Sequence, residues 1–292
     1  MNPAGMTGQG WFFFSHYLWA GAFLVVTVGL LWLGLRVFGA IHRRYDIQAE
    51  LVTRDNPAVC LVLAGHLLGL CLAVSGALPG TFHNPLAALA GMLIYGLVSI
   101  ALLHASAGIN DKTTLRDLED LKEIFERRNP AAGLAIAANQ VAAGLIIQGL
   151  LSGQGTLLSM VVFWVLAQAA LVVLATVYDL VTPYKVQAEI AKGNLAVAAG
   201  FSGMYLAMAN IAAHAVRGDF TAWQRDLTSF GAVVVFGGVA MPLARRAMDG
   251  LIFSRRRLTE EVCQDGAPNV GAGVIEGAVY LGLSFLINLS LG

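Results

Sequence analysis

Charged side chains make up only 12% of the 292 residues, and one carboxylate falls where water is scarcest: Glu276, inside the apolar run 270–291. A carboxyl group there is costly, so it binds a cation, carries a proton or is held by hydrogen bonds from its neighbours. Glu276 lies seven residues beyond Asn269, about 10 Å into its helix at a rise of roughly 1.5 Å per residue. Comparable depths in other apolar runs hold His66, Asn139, Gln140, Ser202 and Tyr205, and Tyr280 lies one turn beyond Glu276. Together these side chains would form a polar patch at the membrane midplane. Such a patch suits a cation or proton site, or the lining of a path for a polar solute. The competing expectation is a protonated Glu276, or one bonded to Tyr or Asn as helix glue.

A second set of acids, Asp111, Asp179 and Asp249, precedes a recurring Glu by 10 to 12 residues at the ends of three runs. Acids ringing a vestibule concentrate cations. Local pairing competes with that, since Asp249 has Arg245 and Arg246 at helical spacing. His16, His83 and His214 fall singly near the opposite face, as interfacial or hydrogen-bonded histidines do. Cys60, Cys71 and Cys263 match no zinc or disulfide pattern. No phosphate loop, His-Glu-x-x-His or Gly-x-Ser-x-Gly signature is present, so no catalytic residue, metal or cofactor is expected.

The elements that must position these residues follow from composition. Apolar residues make up 57% of the chain, mean hydropathy is +0.70, and the formal net charge is zero. Too few charges remain to clothe a soluble surface, and no basic excess exists to hold nucleic acid. Runs long enough to cross a bilayer, which needs roughly 20 apolar residues, fall near 13–40, 57–77, 86–108, 130–151, 157–181, 195–216, 228–249 and 270–291. Sixteen of the 18 basic residues cluster at one end of these runs, leaving Arg217 and Arg225 at the other. The positive-inside rule puts the basic end in the cytoplasm and both termini outside. The aromatic cluster Trp11, Phe12, Phe13, Phe14, Tyr17 and Trp19 then suits an outer interfacial belt.

The chain also repeats. Asn56, Asn129, Asn194 and Asn269 each open a helix after a charged stretch, at spacings of 73, 65 and 75 residues. Asn is a good N-cap, and Pro, which follows two of them, suits the first helical position. Tyr45-Asp-Ile-Gln-Ala-Glu-Leu recurs as Tyr184-Lys-Val-Gln-Ala-Glu-Ile, 139 residues later. The unit is thus a two-helix hairpin, and four units make two similar four-helix halves, 1–150 and 151–292. At four and eight residues beyond each Asn stand Cys60 and Ala64, Gly133 and Ala137, Ala198 and Ser202, Gly273 and Gly277. Small residues at that spacing let helix backbones approach closely in lipid. In 113–128, Leu115, Leu118, Leu121, Ile124 and Phe125 recur among charges, which predicts an amphipathic helix for the membrane surface or a cytoplasmic protein partner.

The Glu-then-Asn entries, Glu50…Asn56-Pro-Ala-Val and Glu189…Gly193-Asn194-Leu-Ala-Val-Ala, resemble the YjfL-like bacterial inner-membrane proteins, a family of four-span proteins of unknown function. The half-length near 139 residues suits one such unit, and the pattern is weakest over the first helix. The resemblance implies a bacterial plasma-membrane location and no particular chemistry. The expectation is an all-α polytopic membrane protein of eight spans. Its function would be passage of a small cation or polar solute near Glu276, or recruitment of a partner by a non-transporting scaffold. A homo-oligomer with a pore between chains is also open.

Overall fold

A computed structural model describes residues 8–78, 84–116, 118, 121–253, 256–264 and 267–291, with side chains from residue 16 onward. His83, Arg255 and the side chains of Trp11, Phe12, Phe13 and Phe14 lie outside the described set. Among the described residues the chain is all helix, and eight helices are long and apolar enough to cross a membrane. The first helices of the four units are α1 (Gly8–Ile41), α3 (Pro85–Thr113), α5 (Leu157–Val181) and α8 (Trp223–Leu251). The second helices are α2 (Pro57–Ser75), α4 (Pro130–Leu151), α7 (Leu195–Ala215) and α10 (Val270–Leu291). Short entry segments precede the second helices: π-helical turns Ala49–Thr53 and Lys122–Glu126, then α6 (Val186–Ala191) and α9 (Leu258–Val262).

The second helices pack side by side in the order α2, α4, α7, α10. The first helices form an outer row. There α3 touches α2 and α4, α5 touches α4 and α7, and α8 touches α7 and α10. Burial follows this order: 78% of the most apolar stretch of α7 and 67% of that of α4 is buried, against 17% for α1 and for α8.

Lipid tails are as apolar as leucine, so burial alone does not drive these helices together; close van der Waals packing must. Glycine supplies it. A side chain on Gly65 would overlap the Ala137 backbone, and one on Gly203 would overlap Gly277. Gly133 meets Ala58 and Gly273 meets Ala196 in the same way. The register of α2 on α4 therefore recurs in α7 on α10. The small pair four and eight residues beyond each Asn marks this seam wherever a second helix precedes. Gly133 and Ala137 face α2, Gly273 and Gly277 face α7, and Ser202 faces α4, where its Oγ lies 3.4 Å from the Leu134 carbonyl. Cys60 and Ala64 face outward.

Each second helix is capped as its sequence predicts. Asn56 Oδ1 accepts from the N–H of Ala58 and Val59, Asn129 from Ala131 and Ala132, Asn194 from Val197 and Asn269 from Ala272. The residue before three caps lies in the left-handed region: Asp55 (φ 53°), Arg128 (φ 51°) and Gly193 (φ 87°). This is an uncommon conformation for a non-glycine residue. Each cap amide also donates to its own unit's glutamate: Asn56 to Glu50 (2.9 Å), Asn129 to Glu123 (2.9 Å), Asn194 to Glu189 (3.3 Å) and Asn269 to Glu261 (2.9 Å).

The amphipathic helix expected over 113–128 does not form. Helix α3 ends at Thr113, and the chain turns before the π-helical segment. Leu115, Leu118 and Ile124 are buried, and Phe125 stacks on Tyr45 at 3.9 Å. Most of the apolar side of this segment is thus used within the chain, with Leu121 left exposed, where the 3.6-residue period had suggested an external partner. Asp117, Glu119 and Asp120 lie outside the described residues.

Two predictions follow from the packing and the caps. Gly203→Ala should destabilise the protein by about 1–3 kcal/mol through overpacking. Gly231→Ala, in open space on α8, should gain about 0.5–1 kcal/mol of helix propensity; thermal melts in detergent compare the two. The Asn56 amide first, then Arg54, hold the Glu50 carboxyl below its ordinary value of 4.5 against the opposing effect of burial. Glu189 is lowered likewise, by Lys192 first and then Asn194. A depressed folded value gives stability that is present above the ordinary value and is lost as pH falls through the folded one. The wild type should therefore melt above Glu50→Gln at pH 7, and the gap should narrow as pH falls below the ordinary carboxyl value and through the lowered one.

Candidate functional site

The polar residues picked out by depth divide into two clusters, because the second helices form a row with α2 and α10 at its ends rather than a ring. In the second half, Glu276 is fully buried and its Oε1 accepts from the Arg245 guanidinium of α8. The Tyr178 hydroxyl of α5 donates to the same oxygen at 3.1 Å and that of Tyr280 at 3.3 Å. Arg245 also reaches Tyr184 and Thr259, each at 3.4 Å, and its guanidinium stands over the rings of Tyr178 and Tyr184. Burial, and then the charge of Glu276, push the Tyr184 hydroxyl up to about 12, so it stays neutral. Gly200 of α7 leaves the room that the Glu276 carboxylate occupies. Oε1 of the carboxylate thus faces a fixed cation and two hydroxyls, while the buried Oε2 has no hydrogen-bond partner among the described residues.

The first-half cluster carries no formal charge. Asn110 Nδ2 donates to Asn139 Oδ1 at 2.6 Å and lies 3.3 Å from Gln168 Oε1, which joins α3, α4 and α5. His66 Nδ1 lies 3.4 Å from Gln140 Oε1, and its ring sits between Phe38 (4.5 Å) and His104 (5.1 Å). The Trp164 indole donates to Ser106 Oγ at 3.0 Å. Several buried amide atoms here have no hydrogen-bond partner among the described residues, Asn110 Oδ1, Asn139 Nδ2 and Gln168 Nε2, whereas the His66 and His104 rings both approach the Gly34 backbone. Tyr205 is buried between the clusters on α7, stacked on Phe201, with its hydroxyl toward the Thr114 side chain.

The level of these clusters also differs from expectation. Asn110 and Tyr178 each lie three residues from the ends of α3 and α5, and Arg245 six from the end of α8. The polar layer thus sits where the first helices stop, toward the basic end, and not at mid-span. Counting from the Asn caps misplaced it, because the second helices extend past the ends of the first.

The acids at the first-helix ends do local work. Asp179 Oδ1 accepts from Val186 N (3.0 Å) and Asp249 Oδ1 from Leu258 N (2.8 Å), each holding the start of the next short helix. Asp46 does the same for Ala49 in the first unit. Arg245, expected beside Asp249, is taken by Glu276. Asp111, at the end of α3, keeps company of its own. Sequence reasoning missed Arg245, Tyr178, Asn110, Gln168 and His104. Arg245 reads as a topological anchor, and its partner lies 31 residues away on another helix.

At the end opposite the basic residues a cavity of about 770 Å³ opens between the halves. Its walls include Met92 and Tyr95 of α3, Ser159 and Phe163 of α5, and the connections around Gln154 and Asp219. Below it, one face of α3 carries the buried Ser99, Ser106 and Asn110, leading toward the amide cluster.

The fold's duplication has a counterpart in comparisons with known proteins. A domain of unknown function, DUF350, matches twice, over residues 12–151 and 152–291. The chain belongs to the DUF350 family. It is similar to the UPF0719 transmembrane protein YshE of Bacillus subtilis (strain 168), at 31% identity over 134 residues. That match covers 46% of this chain and 93% of YshE, so one DUF350 domain here corresponds to nearly a whole relative. The narrower YjfL-like grouping stays a resemblance. No solved structure matches. The protein is thus a multi-pass membrane protein built of two DUF350 domains.

Removing one partner of a buried ion pair leaves an uncompensated charge, at a cost of about 3–5 kcal/mol. Glu276→Gln and Arg245→Met should each lower stability by that order. The double variant should recover most of the loss, measured as melting of the purified protein in a double-mutant cycle.

Proposed function

We propose that this DUF350 protein resides in the bacterial plasma membrane with its basic end in the cytoplasm, and that it passes a small uncharged polar solute. The observation that carries this reading is the group of unpartnered buried amide atoms on Asn110, Asn139 and Gln168. An unpaired buried polar atom costs about 1–3 kcal/mol. Gathering several of them in one cluster makes sense if a transient guest supplies their bonds. The cavity at the far end, walled by α3 and α5, would receive such a guest before it enters.

A cation fits less well. Glu276 already has its counter-charge in Arg245, and only about 10 Å³ of space adjoins Arg245, Tyr280 and Pro242. A scaffold that recruits a partner through 113–128 would need the apolar side of that segment exposed, and Leu115, Leu118 and Ile124 are buried.

The test is stopped-flow light scattering of proteoliposomes challenged with glycerol or urea. Protein-bearing vesicles should re-swell faster than empty ones, and Asn110→Leu with Asn139→Leu should reduce the excess at least tenfold, an order chosen for the loss of two polar contacts. Glu276→Gln, if folded, should keep it. Re-swelling equal to that of empty vesicles for every small solute tried would overturn the reading.

A further inference from the structure

The cap asparagines do more than close their own helices. Asn56 Nδ2 also donates to the Ile124 carbonyl (2.9 Å), Asn129 to that of Ile190 (2.8 Å) and Asn194 to that of Val262 (2.8 Å). Each acceptor directly follows the glutamate of the next unit: Glu123, Glu189 and Glu261. Every unit is thus tied to its successor by the same bond. Asn56, Asn129 and Asn194 are buried beneath that successor. Asn269 carries the same cap and the same glutamate bond, yet it is exposed. At the other end of the row, Leu51 follows Glu50 and occupies the acceptor position of the first unit, with no preceding cap among the described residues.

The helix faces repeat this pattern. Between the halves, Ser202 of α7 meets the Leu134 carbonyl of α4, and Ala198 beside it is fully buried. Their counterparts on α2, at the same distances from the cap, are Ala64 and Cys60, and both are exposed. The counterpart of Leu134 on α10 is Val274, which is 55% exposed. Both halves of the internal junction therefore recur unused, the donor side on α10 and the acceptor side on α2. Small outward residues alone would mean only lipid contact. The repeated cap bond, satisfied three times and left open at the fourth, specifies what fits there.

We propose that the chain associates head to tail with further copies of itself, the Asn269 edge of one copy seated on the Leu51 and α2 edge of the next. The junction would reproduce the one between the two DUF350 domains, with Asn269 donating to Leu51 O and Val274 packing on Ala64. Such a contact is heterologous, so it builds a ring or a row rather than a two-fold dimer.

The test uses the full chain in lipid nanodiscs or mild detergent, with Cys60→Ala, Cys71→Ala and Cys263→Ser as a cysteine-free background checked for unchanged melting. Ala64→Cys and Val274→Cys are placed on separate chains. Oxidation of the mixture should give a linked dimer, and each variant oxidised alone should give little. Mass photometry of the wild type should show species above the monomer, and Asn269→Ala should weaken association about fivefold, the equivalent of one hydrogen bond of about 1 kcal/mol. Absence of the mixed cross-link, self-linking of Ala64→Cys alone as strong as in the mixture, or a monomer at all concentrations would overturn the proposal.

Discussion

A helix that starts beside an apolar phase must satisfy its first backbone N–H groups, and in this molecule one asparagine per unit meets that demand. The two ends of the amide are used differently. Oδ1 accepts from the new helix, and Nδ2 is left to donate elsewhere. It takes a glutamate from its own entry segment, and in three units a main-chain carbonyl from the next. Ser or Asp could accept as well at a cap but would offer no such pair of donors. Asparagine at all four positions is thus what makes the units stack in one register.

The row set up by these caps is closed by glycine. Backbone contacts at Gly65, Gly133, Gly203 and Gly273 recur in corresponding places in both domains, and they bring the second helices nearer than side chains would permit. The first helices lean on this inner row and end short of it. Their last turns therefore deliver Asn110, Tyr178 and Arg245 toward the basic end, where two clusters form, the neutral one drawing Gln168 from the second domain. The other pairs a charge with its counter-charge, and both hold buried polar atoms without a partner among the described residues.

Much of this is legible in the chain. The apolar runs locate eight helices, the Asn spacing reveals the units, and the cap geometry follows from residue type. The limits have physical causes. Small residues at a common spacing mark a common seam, with Ser202 and Gly277 each turned to the preceding second helix, but α2 has no such neighbour, so Cys60 faces outward. Depth counted along one helix says nothing of where the adjacent helix stops, which misplaced the polar layer. Glu276 stands out as an acid in an apolar run, yet its arginine sits near a span end, where basic residues are routine. The leucine period in 113–128 is real, but most of its apolar side is met by the chain itself, and a helix is not needed to bury it. The left-handed turns at Asp55 and Arg128 have no composition signal at all.

The direction of the cap bonds has a further consequence for biogenesis. Each asparagine finds its carbonyl 61 to 68 residues downstream. A nascent unit can enter the bilayer and close its own cap, but its lateral tie waits until the following hairpin has been made. Assembly is therefore vectorial: every unit is completed by the one synthesised after it. Extraction by force would break one tie per hairpin from either end, but pulling from the C-terminal end leaves an asparagine donor bare while pulling from the N-terminal end leaves a carbonyl bare.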